Sequence, residues 1–496
     1  MHLTLSTRRL FLGAGGLVFV ALAGLLVFRL TMAGLVVNLL LKSSGASQVS
    51  FNVVQATPWH VVVDDLRFQV RAQVFSAKRV TIDRHDWWMP SLGSVRVEQA
   101  SVPVTIDGSD TNPWSWASYQ NAGAVQPWQA PLDELTVDGQ LVVKAAALPD
   151  QALAVKFAAR RSSQKNWEGL VQANGPGLSL RGEGSYDLGK DDLTFKVPAA
   201  ELDLKTWQNF VQRLVLLPGG AWEFEGKMTG QAKGRLAGKK LTTSGTVQLR
   251  DGRAKNAALA VAADGIEANL EFTDLANLVT QPGVLHIREL QAGQLILREI
   301  DAGLAFGGSN KITVSRASFQ ALGGTVAVES FNYFPSQREL EAVVLVDGIN
   351  IEEVMALTQD LPARATGRVN GRFPLRLDGG GLRLGTGWLQ LKPGVYAEVQ
   401  FNATGLLTRG ASASSPGYAV LKKVESGLLK LKVTEMRLDI RPPNAPPGRS
   451  AQLHITGEPV DPDVKAPVIL DLNVNGPLEK LINLGLDSRV SFGTKP

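Results

Sequence analysis

From Val49 onward the chain alternates between apolar and polar positions. Val49, Phe51 and Val53 stand every second residue, as do Leu66, Phe68 and Val70. Val80/Ile82, Val95/Val97 and Val102/Val104/Ile106 repeat the pattern, followed by Leu135/Val137, Leu141/Val143, Leu153/Val155/Phe157, Leu178/Leu180 and Leu193/Phe195/Val197. Period two over four to six residues marks a strand with one apolar and one wet face. The alternation returns late in the chain at Leu429/Leu431/Val433, Met436/Leu438/Ile440, Leu453/Ile455 and Leu470/Leu472/Val474. The phase slips between Val433 and Met436, which predicts a bulge or turn there. Asp-Gly occurs six times, at 107, 138, 251, 264, 347 and 378. That dipeptide favours the positive φ of tight hairpins, so the expectation is an antiparallel meander.

Helical spacing is rare. Thr206–Leu217 places Trp207, Phe210, Val211 and Leu214 on one face and stops at Pro218-Gly219-Gly220. Shorter helices are expected over Ile351–Thr358 and Pro477–Leu484, capping the ends of a sheet. Two stretches, Thr408–Gly417 and the proline-rich Arg441–Arg449, read as loops.

One run breaks the alternation. Leu10–Phe28 carries no charge and lies between Arg9 and Arg29. At 1.5 Å per residue it spans about 28 Å, enough to cross a bilayer core. An uncleaved anchor over 10–30 is the favoured reading. A cleaved signal peptide ending near Ala21-Leu22-Ala23 and a twin-arginine signal at Thr7–Leu12 are the alternatives. Arg8 and Arg9 place the N-terminus, residues 1–9, on the cytoplasmic side.

Composition adds exclusions. Fifty-one basic residues balance 46 acidic ones without a basic block, so no nucleic-acid partner is read. The absence of cysteine excludes disulfides, thiolate metal sites and cysteine nucleophiles. The five histidines, His2, His60, His85, His286 and His454, stand at no metal-ligand spacing, and His454 falls on the polar face of its strand. No nucleophile elbow, phosphate loop or dinucleotide fingerprint is present. Asp64-Asp65 and Asp191-Asp192 read as solvated strand ends. The expectation is therefore no enzyme, no catalytic residue, no cofactor and no metal. Six of the ten tryptophans lie between Trp59 and Trp128, either as core or as a belt at a membrane interface.

Half-apolar strands must hide one face. A two-sheet sandwich, a closed barrel or a curled trough all do so. Here the sequence resembles known proteins. Its N-terminal layout, a helix, a second apolar stretch and strands such as Leu66-x-Phe68-x-Val70, is similar to the AsmA-like superfamily. The second half resembles the YdbH family, once labelled a dicarboxylate transport domain. The match rests on Thr273–Leu278 with Pro282-Gly283 and His286–Leu290, on Ala321–Val326 leading to Val346–Asn350, on Thr366–Leu375 with Leu391–Val395, and on Pro467–Asn475.

The resemblance implies a mainly β chain: one transmembrane helix, then a long, curled, mostly antiparallel β-trough, AsmA-like over 31–225 and YdbH-like over 226–496. It implies an inner-membrane protein with a periplasmic body that carries phospholipids toward the outer membrane. The groove would be lined by Leu66, Phe68, Val70, Leu429, Leu431, Val433, Leu453, Ile455, Leu470, Leu472 and Val474. Twenty-five to thirty strands at about 4.8 Å would make a trough about 120–145 Å long, shorter than the bridging members of the superfamily. The resemblance suggests a small outer-membrane lipoprotein as a partner, added by β-augmentation at the last strand. A tethered β-scaffold for outer-membrane assembly is the alternative. Small-anion transport ranks lowest, because one membrane helix forms no carrier.

Overall fold

The computed structural model describes residues 46–57, 59–70, 73–84, 92–106, 132–145, 150–209, 212, 221–237, 240–308, 311–334, 337, 339–356, 363–378, 381–401, 405, 408, 411–441 and 449–475. The proposed anchor at Leu10–Phe28, the helix at Pro477–Leu484 and tryptophans 87, 88, 114, 116 and 128 lie outside them. Among the described residues no helix is long and apolar enough to cross a membrane.

Two compact units are present. The first comprises Met1–Leu216, Lys227–Gln248 and Glu271–Thr280; the second comprises Leu217–Gly226, Leu249–Leu270 and Gln281–Pro496. The first unit begins with β1 (Ala46–Ala56), β2 (His60–Val70), β3 (Gln73–Arg84), β4 (Leu92–Ile106) and β5 (Leu132–Ala145). It continues with β6 (Gln151–Arg161), β7 (Asn166–Gly175), β8 (Leu178–Asp187) and β9 (Asp192–Asp203). The residues of β10 (Glu223–Ala237), β11 (Lys240–Asn256) and β12 (Val261–Asp274) are divided between the units, and β13 (Val279–Thr280) closes against the end of β12.

From β1 to β10 each strand pairs with the next in antiparallel register, with one exception. β4 and β5 are parallel, from Leu92↔Leu132 to Ile106↔Ala145. A simple meander does not contain such a pair. Parallel neighbours need a long crossover, and residues 107–131 supply the length.

The second unit holds β14 (Gly283–Ala292), β15 (Leu295–Phe306), β16 (Ile312–Ala321), β17 (Gly324–Val328), β18 (Phe331–Phe334) and β19 (Glu339–Asn350). Helix α1 (Ile351–Ala356) follows, then β20 (Ala363–Ala365), β21 (Arg368–Asp378), β22 (Gly381–Leu384), β23 (Gly387–Leu391) and β24 (Ala397–Phe401). Helix α2 (Tyr418–Leu429) precedes β25 (Lys430–Ile440), β26 (Arg449–Pro459) and β27 (Val468–Asn475). All recorded strand pairs of this unit are antiparallel, ending with β25–β26–β27.

The Asp-Gly expectation needs correction. Asp107-Gly108 lies outside the described residues, and among the others only Asp378 opens a two-residue hairpin, pairing with Gly381. The pairs at 138, 251, 264 and 347 lie inside β5, β11, β12 and β19. At Asp347-Gly348 the register slips between Val346 and Ile349 and Gly348 has φ +67°. Gly348 thus makes a bulge, which also requires left-handed backbone, whereas Gly265 has φ +67° with its neighbours Asp264 and Ile266 still in register. The two-residue turn between Ala321 and Gly324 uses Leu322-Gly323, both at positive φ. The predicted phase slip after Val433 is a bulge within one strand, between Val433 and Glu435.

Helix α1 matches the expectation over Ile351–Thr358, as far as Ala356. Helix α2 is additional to the helices expected from the sequence. Leu429 is its last residue, so it does not begin the following strand. Of the helix expected over Thr206–Leu217, Gln208, Asn209 and Gln212 are helical, and Phe210, Val211 and Leu214 lie outside the described residues.

Candidate functional site

Cross-strand registry explains where the apolar side chains meet. In β1–β5, Phe68 faces Phe75, Leu66 faces Ala77, and Val63 and Val61 face Val80 and Ile82. The rings of Phe68 and Phe75 stack at 5.3 Å. These side chains form a dry cluster with Val95, Leu132, Leu135 and Val137, and Val80 and Ile82 are 0% exposed. A face this closed is an ordinary core.

The next strands differ. Val155, Ala173, Leu180 and Ala200 line up across β6 to β9, with Gly230 of β10 beyond them. A second row runs Phe157, Val171, Gly182, and a third Trp167, Tyr186, Leu193, Leu236. Trp167, Val171, Leu180, Leu193, Phe195 and Val197 are all only half-buried. Their neighbours on the other face, Gln172, Arg181, Glu183 and Lys196, are exposed. The alternation thus has a wet side and a side that is apolar but not dry. Pro198 sits where the phase of β9 shifts from Phe195/Val197 to Ala200/Leu202, which keeps the apolar residues on one side.

Glycine broadens this face. Gly182 and Gly184 alternate with Arg181 and Glu183, and Gly230 and Gly234 continue the same side in β10. A Cβ on Gly182 would stand 2.8 Å from Val171 Cγ1, and the ring of Phe195 covers Gly234. One end of the face is closed. Trp207 is buried on Leu141 and Leu153, and its Nε1–H donates to the Pro176 carbonyl at 2.9 Å.

The second unit repeats the contrast. Ile266, Ile287 and Ile300 form a half-buried row across β12, β14 and β15. Further along, Ala397, Val399, Leu431, Val433 and Ile455 form a closed cluster, with Leu453 and Leu470 packed against it.

The groove residues expected from sequence therefore fall into four groups. Leu66, Phe68, Leu431, Val433 and Ile455 are buried in the two closed clusters. Leu453 and Leu470 are half-buried beside the second. Leu429 and Leu472 are exposed, at 37% and 39%. The side chains of Val70 and Val474 lie outside the described residues. The half-buried rows of β6–β10 and β12–β15 contain none of these positions. In β8 and β10 the signal is the alternation of glycine with charge, as in Arg181-Gly182-Glu183-Gly184 and Lys233-Gly234-Arg235.

Opposite charges pair across the wet side. Asp64 lies inside β2, not at a strand end, and accepts both Arg79 Nε and Nη2 at 2.8 and 2.9 Å. The Arg79 guanidinium holds its carboxyl below the usual range. Asp192 does the same with Arg235. Such exposed pairs fix register more than they add stability. Among the described residues no three His, Asp or Glu side chains are grouped to hold a metal ion.

His454 lies directly across from Asp471, with Nδ1 2.8 Å from the carboxylate. That hydrogen bond raises the imidazole pKa above its ordinary value. The charged form thus favours the folded state. Its contribution is fully present below about pH 6.5, the unfolded value, and disappears as pH rises through the higher folded value. Protection of β27 amides, corrected for intrinsic exchange, should fall over that interval. Asp471→Asn should flatten the dependence, and an unchanged profile in that variant would show that the pair is not responsible.

Strands with one charged side and one half-buried apolar side define the class by fold: a mainly β protein built from long, mostly antiparallel strands. The chain belongs to the YdbH-like family, whose model, described as "Intermembrane phospholipid transport protein YdbH", matches residues 110–394. That is a lipid-transport family, not an enzyme family, and its description makes phospholipid the cargo. No curated protein and no solved structure matches the chain.

Proposed function

We propose that the chain is an inner-membrane-anchored, periplasmic bridge that passes phospholipids between the inner and outer membranes along its apolar strand faces. The observation that carries this reading is the half-buried apolar side of β6–β9. Acyl chains are apolar and conformationally loose, so a smooth row of Val, Leu, Ala and Gly suits them better than a shaped pocket. Each methylene kept from water is worth about 0.8 kcal/mol. A lipid that keeps its chains on such a face and its headgroup in water avoids most of the cost of leaving a bilayer.

Leu10–Phe28 serves in this reading as the anchor, with residues 1–9 cytoplasmic. β27 is the natural place for a small outer-membrane lipoprotein to add a strand. Among the described strands it pairs with β26 alone, and Ile469 is 61% exposed. Unpaired edges accept strands from partners.

The test is transfer itself. Full-length protein reconstituted in donor vesicles should accelerate movement of a labelled phospholipid to acceptor vesicles. A folded protein that leaves the spontaneous rate unchanged, and leaves lipid distribution between the membranes unchanged when deleted, overturns the proposal and favours a β-scaffold.

A further inference from the structure

Helix α2 is mounted with apolar residues facing outward. Val420, Leu421, Val424 and Leu428 stand at i, i+1, i+4 and i+8, one stripe of the helix. Val420 is 64% exposed, Val424 47% and Leu421 37%. A helix that merely braces a sheet would turn this stripe inward. Among the described residues, polar and small groups contribute to holding α2. The buried Glu425 carboxylate accepts the backbone N–H of Gly405 at 2.7 Å and of Thr408 at 3.0 Å. Gly427 packs against Val464. Val460 extends the exposed apolar patch: its N–H donates to the carbonyl of Lys430, just past the helix end, and it is 47% exposed.

Charge narrows the choice of occupant. The exposed charged residues of α2 are Lys422 and Lys423, and its one acid, Glu425, is buried. A short helix with an apolar stripe and lysines beside it matches the interface of a bilayer, where apolar side chains enter the headgroup boundary and lysines meet anionic lipid. Asp461, next to Val460, is hydrogen-bonded to Ser426 and lies near Lys423, but the helix itself exposes lysine and no acid, which favours an anionic surface over a neutral protein groove.

We infer that α2 is a docking element for a phospholipid bilayer surface carrying anionic headgroups. It lies against β24, β25 and β26, in the part of the second unit that includes the edge strand β27. The inference deepens the lipid-transfer reading by naming the part of the chain that meets a membrane surface, and rests on that reading for its purpose.

The native chain has no cysteine, which allows a clean probe. A Val424→Cys variant labelled with an environment-sensitive dye, and a Lys190→Cys control on the β8–β9 turn, are prepared as full-length protein in phosphatidylcholine nanodiscs. Vesicles of phosphatidylethanolamine and phosphatidylglycerol should shift the Val424 dye to the blue and leave the Lys190 dye unchanged. Adding Lys422→Gln and Lys423→Gln should weaken apparent affinity about tenfold at low salt.

Three results would overturn the inference. One is no shift at position 424 in protein whose circular dichroism is native. Another is an equal shift with pure phosphatidylcholine vesicles. The third is a dye already buried and indifferent to vesicles, which would mean that the stripe is covered by another part of the chain or a second copy. Transfer activity in the same preparation separates the two proposals: transfer without docking sinks the role of α2 alone, and absence of both sinks the lipid-transfer reading too.

Discussion

Leu180→Asp should reduce phospholipid transfer at least tenfold while leaving the fold intact. Leu180 stands in the middle of the row Val155–Ala173–Leu180–Ala200 and is half-buried. A carboxylate there retains partial hydration, so the strand tolerates it. An acyl chain crossing it must either strip water from the charge or leave the face, and each costs several kcal/mol. Leu180→Ala removes only a few methylenes from a surface with many equivalents, and its transfer should stay within about twofold of the parent. The informative comparison is the pair, measured in one vesicle assay with circular dichroism of each protein. Equal loss in both, or no loss in either, would remove Leu180 from the path.

The second large effect is on stability. Leu431 is 0% exposed, pairs with Val399 and Pro459, and belongs to a cluster with Ala397, Val433 and Ile455. Leu431→Ala should cost about 2–5 kcal/mol, the range for a buried leucine whose site cannot collapse. Because the chain has two units, a single melting temperature is a poor measure. Hydrogen exchange of β24–β26 amides reports the local loss directly, and β6–β9 should be unaffected. Protection lost equally in both units would mean that the clusters do not unfold separately.

The two predictions draw on a distinction that period-two alternation does not carry. Leu66/Phe68 and Leu178/Leu180 look alike in sequence, and both do form strands with one apolar face. What separates a dry face from a half-open one is what stands opposite, and that is a property of distant chain segments. Five of the expected groove residues, Leu66, Phe68, Leu431, Val433 and Ile455, accordingly fall in closed clusters. The phase slip at Val433 was legible because a bulge leaves a local mark. Asp378 opens a hairpin but Asp347-Gly348 makes a bulge, because positive φ serves both equally. Helix α2 is masked in the sequence because Leu429, its last residue, continues the period of Leu431 and Val433. The parallel β4–β5 pair was invisible because strand direction leaves no trace in alternation.

The lipid-transfer reading places acyl chains on one side of the strands. The most direct measurement is a photo-crosslinking scan along β8 in living cells, placing the probe in turn from Leu178 to Tyr186 except at Gly182 and Gly184, where a side chain would meet Val171 and the Thr194 carbonyl. Adducts with phospholipid at 178, 180 and 186, and none at 179, 181, 183 and 185, are predicted. Labelling without that period of two, or no lipid adducts in a folded and correctly inserted protein, would contradict it.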